Sequence, residues 1–117
     1  MTGSKRIEAN FYKSYAGNEP VRAWLLGLSQ DDRKTIGADV QVIEYGWGIV
    51  SFNNICTKLE ANLYEVRSNI SDQRIARVIF CIANQKMILL HAFIKKSQKT
   101  PKGDLETARQ RQKEVIT

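Results

Sequence analysis

Apolar residues repeat at two different periods along this chain, and the change of period divides it. Val21, Trp24, Leu25 and Leu28 fall at helical spacing, as do Ile36, Val40 and Ile43, because residues three and four apart share one face of an α-helix. Pro20 suits the first position of the earlier helix, where its missing N–H would be unpaired in any case. Ser29 with Asp32 three residues later resembles a capping box in which the shorter Asp replaces Glu. A second helix is therefore expected from Gln30 to Glu44, ending near Gly46, and the short connection predicts an antiparallel helical hairpin.

Ahead of the helices, Arg6 to Tyr15 carries Phe11, Tyr12 and Tyr15 among polar residues and stops at the turn signal Gly17–Asn18, which predicts a first strand. From Leu63 the period shortens. Leu63–Ser68, Ile75–Ala83 and Met87–Lys96 are rich in Val, Ile, Phe and Tyr, and three short strands in succession predict an antiparallel meander. Asn84–Gln85 suits a two-residue hairpin turn, although the favoured pairs place Gly second. Between Gly46 and Asn62 the pattern fades, so a loop with one short irregular element is expected there. Thr100 as N-cap and Pro101 as first helical residue open a last helix running to about Glu114. Strand, two helices, three strands and a helix make an α+β fold: an antiparallel sheet with an N-terminal helical hairpin and a C-terminal helix. At 117 residues the whole chain, 1–117, is read as a single domain.

Composition narrows the class. With 43% hydrophobic and 26% charged residues the chain has enough apolar surface to fold. It lacks any apolar run of the roughly eighteen residues that span a bilayer, and its first ten residues carry charges where a signal peptide needs an apolar block. A soluble, cytoplasmic protein without membrane contact is expected. Cys56 and Cys81 are far apart, with no CxxC and no His close in sequence, so both read as packing residues and neither a metal site nor a disulfide is expected. No Ser-His-Asp set, P-loop or dinucleotide fingerprint is present, and no cofactor is expected.

Lys and Arg number 18 against 12 Asp and Glu, a net charge of +6. A polyanion or an acidic partner is one reading and a merely basic soluble protein is the other, so the distribution of charge decides. A two-residue turn at Asn84–Gln85 sets position 83 opposite 86, and hence Arg77 opposite Ala92. Arg77 and Lys96 then share a sheet face with Ile75, Ile79, Ile88 and Leu90, and Lys95, Lys99 and Lys102 extend the basic zone. An arginine inside the run Ile75–Ile82 costs stability unless its head group finds a partner or reaches water. Arg67 interrupts its own strand in the same way. Two arginines on neighbouring strands near a lysine-rich edge would cradle phosphate, since guanidinium forks match phosphate oxygens. His91, the only histidine, falls by this register on the face opposite Arg77 and reads as a hydrogen-bonded core residue. Glu60 is an isolated acid, and Glu65 reads as an ion partner for a neighbouring arginine.

The segments Leu63-Tyr64-Glu65-Val66-Arg67, Ala76-Arg77-Val78-Ile79-Phe80 and Leu89-Leu90-His91-Ala92-Phe93-Ile94-Lys95-Lys96-Ser97-Gln98-Lys99-Thr100-Pro101, with Glu19-Pro20-Val21-Arg22-Ala23-Trp24-Leu25 upstream, resemble the phage-derived Gp49-like, HigB-type branch of the RelE/ParE toxin superfamily. The resemblance spans nearly the whole chain and is most specific from Leu89 to Pro101. It implies a RelE-like, microbial-ribonuclease-like fold, with helices on one face of the sheet and messenger RNA on the other in the ribosomal A site. It also implies the toxin of a type II toxin–antitoxin system, a ribosome-dependent mRNA endoribonuclease that needs no metal because the ribose 2′-hydroxyl attacks the adjacent phosphate. Arg77 matches the family's strand arginine and Lys96 falls at or next to its basic position after the last strand. With Arg67 as third candidate, these are the expected phosphate ligands, and Lys58, Lys95 and Lys99 are the expected RNA-binding residues. Many relatives carry a tyrosine or histidine near the C-terminus as acid or base, and the last helix here has neither. Tyr64 or His91 could substitute, or a lysine whose pKa is lowered by neighbouring cations. The implied partner is a helix-turn-helix antitoxin of the HigA type, with operator DNA bound only through it. Two other functions stay open at this level, a ParE-like gyrase inhibitor and an inactive homologue serving only as antitoxin partner and autorepressor.

Overall fold

Ser29 opens the longest helix by accepting a hydrogen bond from the Asp32 backbone N–H at 3.2 Å, which satisfies one of the amides a helix start leaves unpaired. The helix it caps, α2, runs Gln30–Gly46 after a shorter α1 at Pro20–Leu26, which carries Pro in its first turn. The computed structural model describes residues 3–49, 55–95 and 99–116. Around the two helices it places β1 (Glu8–Phe11), β2 (Cys56–Glu60), β3 (Leu63–Asn69), β4 (Ile75–Ala83), β5 (Lys86–Lys95) and α3 (Lys102–Ile116).

The five strands form one sheet in the order β1-β5-β4-β3-β2. Strands β3 to β5 pair antiparallel, as the meander predicts, and β2 joins β3 antiparallel as well, whereas β1 lies parallel to β5, with Glu8 against Lys86 and Phe11 against Leu89. Two expectations change in extent. The first strand is confined to Glu8–Phe11 rather than Arg6–Tyr15, and the region from Gly46 to Asn62 holds an edge strand, β2, whose register shifts between Lys58 and Glu60, where a loop with one short irregular element was expected.

Asn84 and Gln85 both take left-handed conformations, φ 53° and 62°, as a two-residue hairpin turn requires, and Ala83 faces Lys86. That register holds only as far as Phe80–Leu89. Beyond it Ile79 faces His91, so Leu90 is the extra residue of a β-bulge and every later pair moves by one. Arg77 consequently faces Phe93, not Ala92.

The sheet separates two apolar clusters. Ile36, Val40 and Ile43 of α2 and Val21 of α1 pack on Val66, Ala76, Val78, Phe80, Met87 and Leu89. On the other face Leu63, Ile79, Cys81 and Leu90 gather with Tyr12 and with Ala108, Leu105 and Val115 of α3. Helices therefore cover both faces, where the resemblance implied that one would be left for RNA. The only residue of α3 that is fully buried among those described is Ala108, and the helix is otherwise held by polar contacts, Arg109 to Glu60 at 2.6 Å and Gln112 to the Asn62 carbonyl at 2.8 Å.

Candidate functional site

Directly paired residues of adjacent strands point to the same side of a sheet, so the observed register defines which charges meet. Arg67 pairs with Arg77, Arg77 with Phe93, Ile79 with both Glu65 and His91, and Ile75 with Lys95. Glu65, Arg67, Arg77, His91, Phe93 and Lys95 thus share the face that carries α3. The bulge at Leu90 brings His91 here, and the expectation that it lies opposite Arg77 is corrected by that one-residue shift. The same shift puts Lys95, opposite Ile75, on the Arg77 face where unbroken pairing puts Lys96. Lys96 itself lies outside the described residues.

Arg77 is 7% exposed and Glu65 2%. The guanidinium Nη1 of Arg77 donates to Oε1 of Glu65, and this buried ion pair answers how an arginine stands inside an apolar strand. The other carboxylate oxygen, Oε2, accepts from the Thr100 hydroxyl at 2.9 Å. Thr100, expected as a helix cap, spends its side chain on Glu65 instead. The Nε of Arg77 is buried and has no hydrogen-bond partner among the described residues.

Arg67 is exposed and Lys95 half-buried. The Lys95 amine is held below the usual lysine range, chiefly by burial and then by the charge of Arg77; Arg67 acts in the same direction and Glu65 opposes. Lys99, exposed, precedes Thr100 in the chain. Lys58 pairs with Tyr64, which packs with the α1–α2 cluster, so it belongs to the other face. Of the expected residues the fold gathers Arg67, Arg77 and Lys95, with Lys99 next to Thr100 at the margin.

A second polar group adjoins this one. His91 Nε2 lies 2.6 Å from Oδ1 of Asp104, and its ring stacks on Phe93 with centroids 5.8 Å apart. Arg111 donates to the Leu90 carbonyl at 2.7 Å and sits 3.5 Å from His91 Nδ1. Asp104 and Arg111 were not singled out from the sequence, and Thr100 was expected only as a helix cap. All three are ordinary polar residues of a helix and its approach, and only the seat of α3 gives them partners.

Among the described residues the arrangement sets three cations, Arg67, Arg77 and Lys95, by the carboxylate of Glu65. Its excess positive charge suits a phosphodiester, and Lys95 is shifted toward the neutral form in which an amine accepts a proton. Among the described residues no group of three or more His, Cys, Asp or Glu could hold a metal ion. The Cys56 and Cys81 thiols are pushed up to about 11 by burial, which keeps them in the unreactive form at neutral pH. No helix among the described residues is long and apolar enough to cross a membrane.

A family model described as Phage derived protein Gp49-like (DUF891) matches residues 23–113, a span that takes in every residue of both polar groups. A comparison with curated proteins finds no match.

Proposed function

The chain belongs to the phage-derived Gp49-like family, and on that footing we propose that it is the toxin of a type II toxin–antitoxin pair, an endoribonuclease that cuts messenger RNA on the ribosome. The observation that carries this reading is the placement of Arg67 directly across from Arg77, with Lys95 on the same face. Three cations set against one carboxylate make a site for a polyanion.

In the proposed reaction Arg67 grips the non-bridging oxygens of the scissile phosphate with its fork of N–H donors. Lys95, in its neutral form, takes the proton of the ribose 2′-hydroxyl. The 2′ oxygen then bonds to phosphorus, the bond to the 5′ oxygen breaks, and the 5′ oxygen takes a proton from solvent water, to which Lys95 later returns its own, leaving a 2′,3′-cyclic phosphate and a 5′-hydroxyl. Arg77 stays on Glu65 and adds positive potential from within the sheet, where low polarisability lengthens its reach. Lys99, Lys96 and, from the other face, Lys58 serve RNA backbone. The antitoxin partner is a helix-turn-helix protein of the HigA type, through which the pair reaches operator DNA.

The test is induced expression of wild type, Arg67→Ala and Lys95→Met in cells, with growth and the 5′ ends of transcripts recorded together. The expected result is growth arrest with new cuts in frame with translation, both lost in the variants. Arrest with intact messages would transfer the reading to gyrase inhibition, and absence of arrest to an inactive antitoxin partner.

A further inference from the structure

The Glu65–Arg77 pair sits behind the proposed cleavage site, and its construction is lopsided. Arg77 is more than nine-tenths buried, yet among the described residues its guanidinium has one hydrogen-bond partner, the carboxylate of Glu65, while Nε is left with none. A buried guanidinium with several partners would keep its place if one were lost. This one depends on a single side chain. Glu65 in turn is fixed from the far side, because the Thr100 hydroxyl donates to its second oxygen at 2.9 Å and Thr100 stands two residues before α3.

We propose that Glu65 is a positioning residue, a buried carboxylate that fixes the Arg77 guanidinium beside Lys95 and ties that placement, through Thr100, to the seating of α3. Glu65 touches no substrate in this arrangement. It acts through Arg77, and it rests on the cleavage reading only for its kinetic consequence. Among the described residues, the charged groups that act on Lys95 from the neighbouring strands are Arg77 on β4 and Glu65 and Arg67 on β3; the arginines push its proton off and Glu65 opposes them. Glu65 therefore has two separable effects, a hold on Arg77 and a field at Lys95. An isosteric amide keeps much of the first and abolishes the second.

The experiment is side-chain NMR of the full chain, following the Arg77 Nε–H signal and the titration of Lys95 in wild type, Glu65→Gln and Thr100→Val, with folding checked by amide spectra. In folded Glu65→Gln the Lys95 midpoint should fall below its wild-type position, and the acid limb of the pH–rate profile for RNA cleavage should move to lower pH with it. Thr100→Val keeps every charge; it should broaden the Arg77 signal and lower kcat about tenfold with KM unchanged. An unchanged or raised Lys95 midpoint in folded Glu65→Gln overturns the proposal. So does a Thr100→Val protein with the wild-type Arg77 signal, and that second variant decides the matter if Glu65→Gln fails to fold. If both NMR effects occur while the wild type cuts no RNA on ribosomes, the positioning role stands and the cleavage reading falls.

Discussion

Arg67 and Arg77 stand directly opposite each other in the β3–β4 ladder, one exposed and the other 7% exposed. Like charges in that relation repel, and among the described residues Arg77 alone of the two has a buried counter-ion. The two alanine variants should therefore behave differently in urea unfolding. Arg77→Ala leaves Glu65 buried without its cation and should cost about 3–5 kcal/mol, whereas Arg67→Ala should stay within about 0.5 kcal/mol of wild type. Equal losses would contradict the assignment of the pair.

Function should separate the same residues in the other direction. Arg67→Ala should weaken binding of single-stranded RNA uniformly across sequences and reduce the slope of log affinity against log salt by about 0.7, the release of one phosphate's counterions. Fluorescence anisotropy over a salt series measures this. A slope equal to wild type would remove Arg67 from the RNA surface.

Asp32 should contribute to the acid limb of stability. Its carboxyl is held below 3.8, first by the Ser71 amide it accepts and further by the hydroxyls of Ser71 and Ser29 and the charge of Arg74. The folded pKa lies below the unfolded one, so the stabilisation is present above the unfolded value and is lost as pH falls through the folded one. Asp32→Asn should lower stability at neutral pH and flatten its decline below about pH 4. Urea midpoints at several pH values test this, and parallel curves for the two proteins would refute it.

Gly37 lies within α2, where glycine costs about 1 kcal/mol relative to alanine. A Cβ built there meets nothing within 4 Å, and the position lines a largely apolar cavity of about 170 Å³ between β1, α1 and α2. Gly37→Ala should raise the thermal midpoint by a few degrees, on the order of 1 kcal/mol. A fall on calorimetry would mean that the cavity needs that opening.

The α-helices and the change from helical to strand period were legible because each rests on local spacing: Pro20, Ser29 and the Ile36–Val40–Ile43 stripe act within a few residues of themselves. So was the hairpin at Asn84–Gln85. The bulge at Leu90 was not, since no glycine marks it and the apolar run around Leu89 and Leu90 gives no sign of an extra residue. That single unmarked residue decided the site, moving His91 onto the Arg77 face and aligning Lys95 where Lys96 was expected. The ion partnership of Glu65 was readable from an arginine that needed one. The contributions of Thr100, Asp104 and Arg111 depend on α3 crossing the sheet face that the resemblance left open, and nothing in the helix's own pattern distinguishes that seat. β2 was missed because an edge strand of five residues, with Lys58 pointing outward, has too weak an alternation to stand out.

The parallel pairing of β1 with β5 joins Glu8–Phe11 to Lys86–Leu89. During synthesis the N-terminal end emerges first, so β1 is made early and has nothing to pair with until nearly all the other strands have followed. By then Lys95 is only a few residues behind. A nascent chain stalled anywhere before that point therefore lacks both the strand that β1 pairs with and the amine of Lys95.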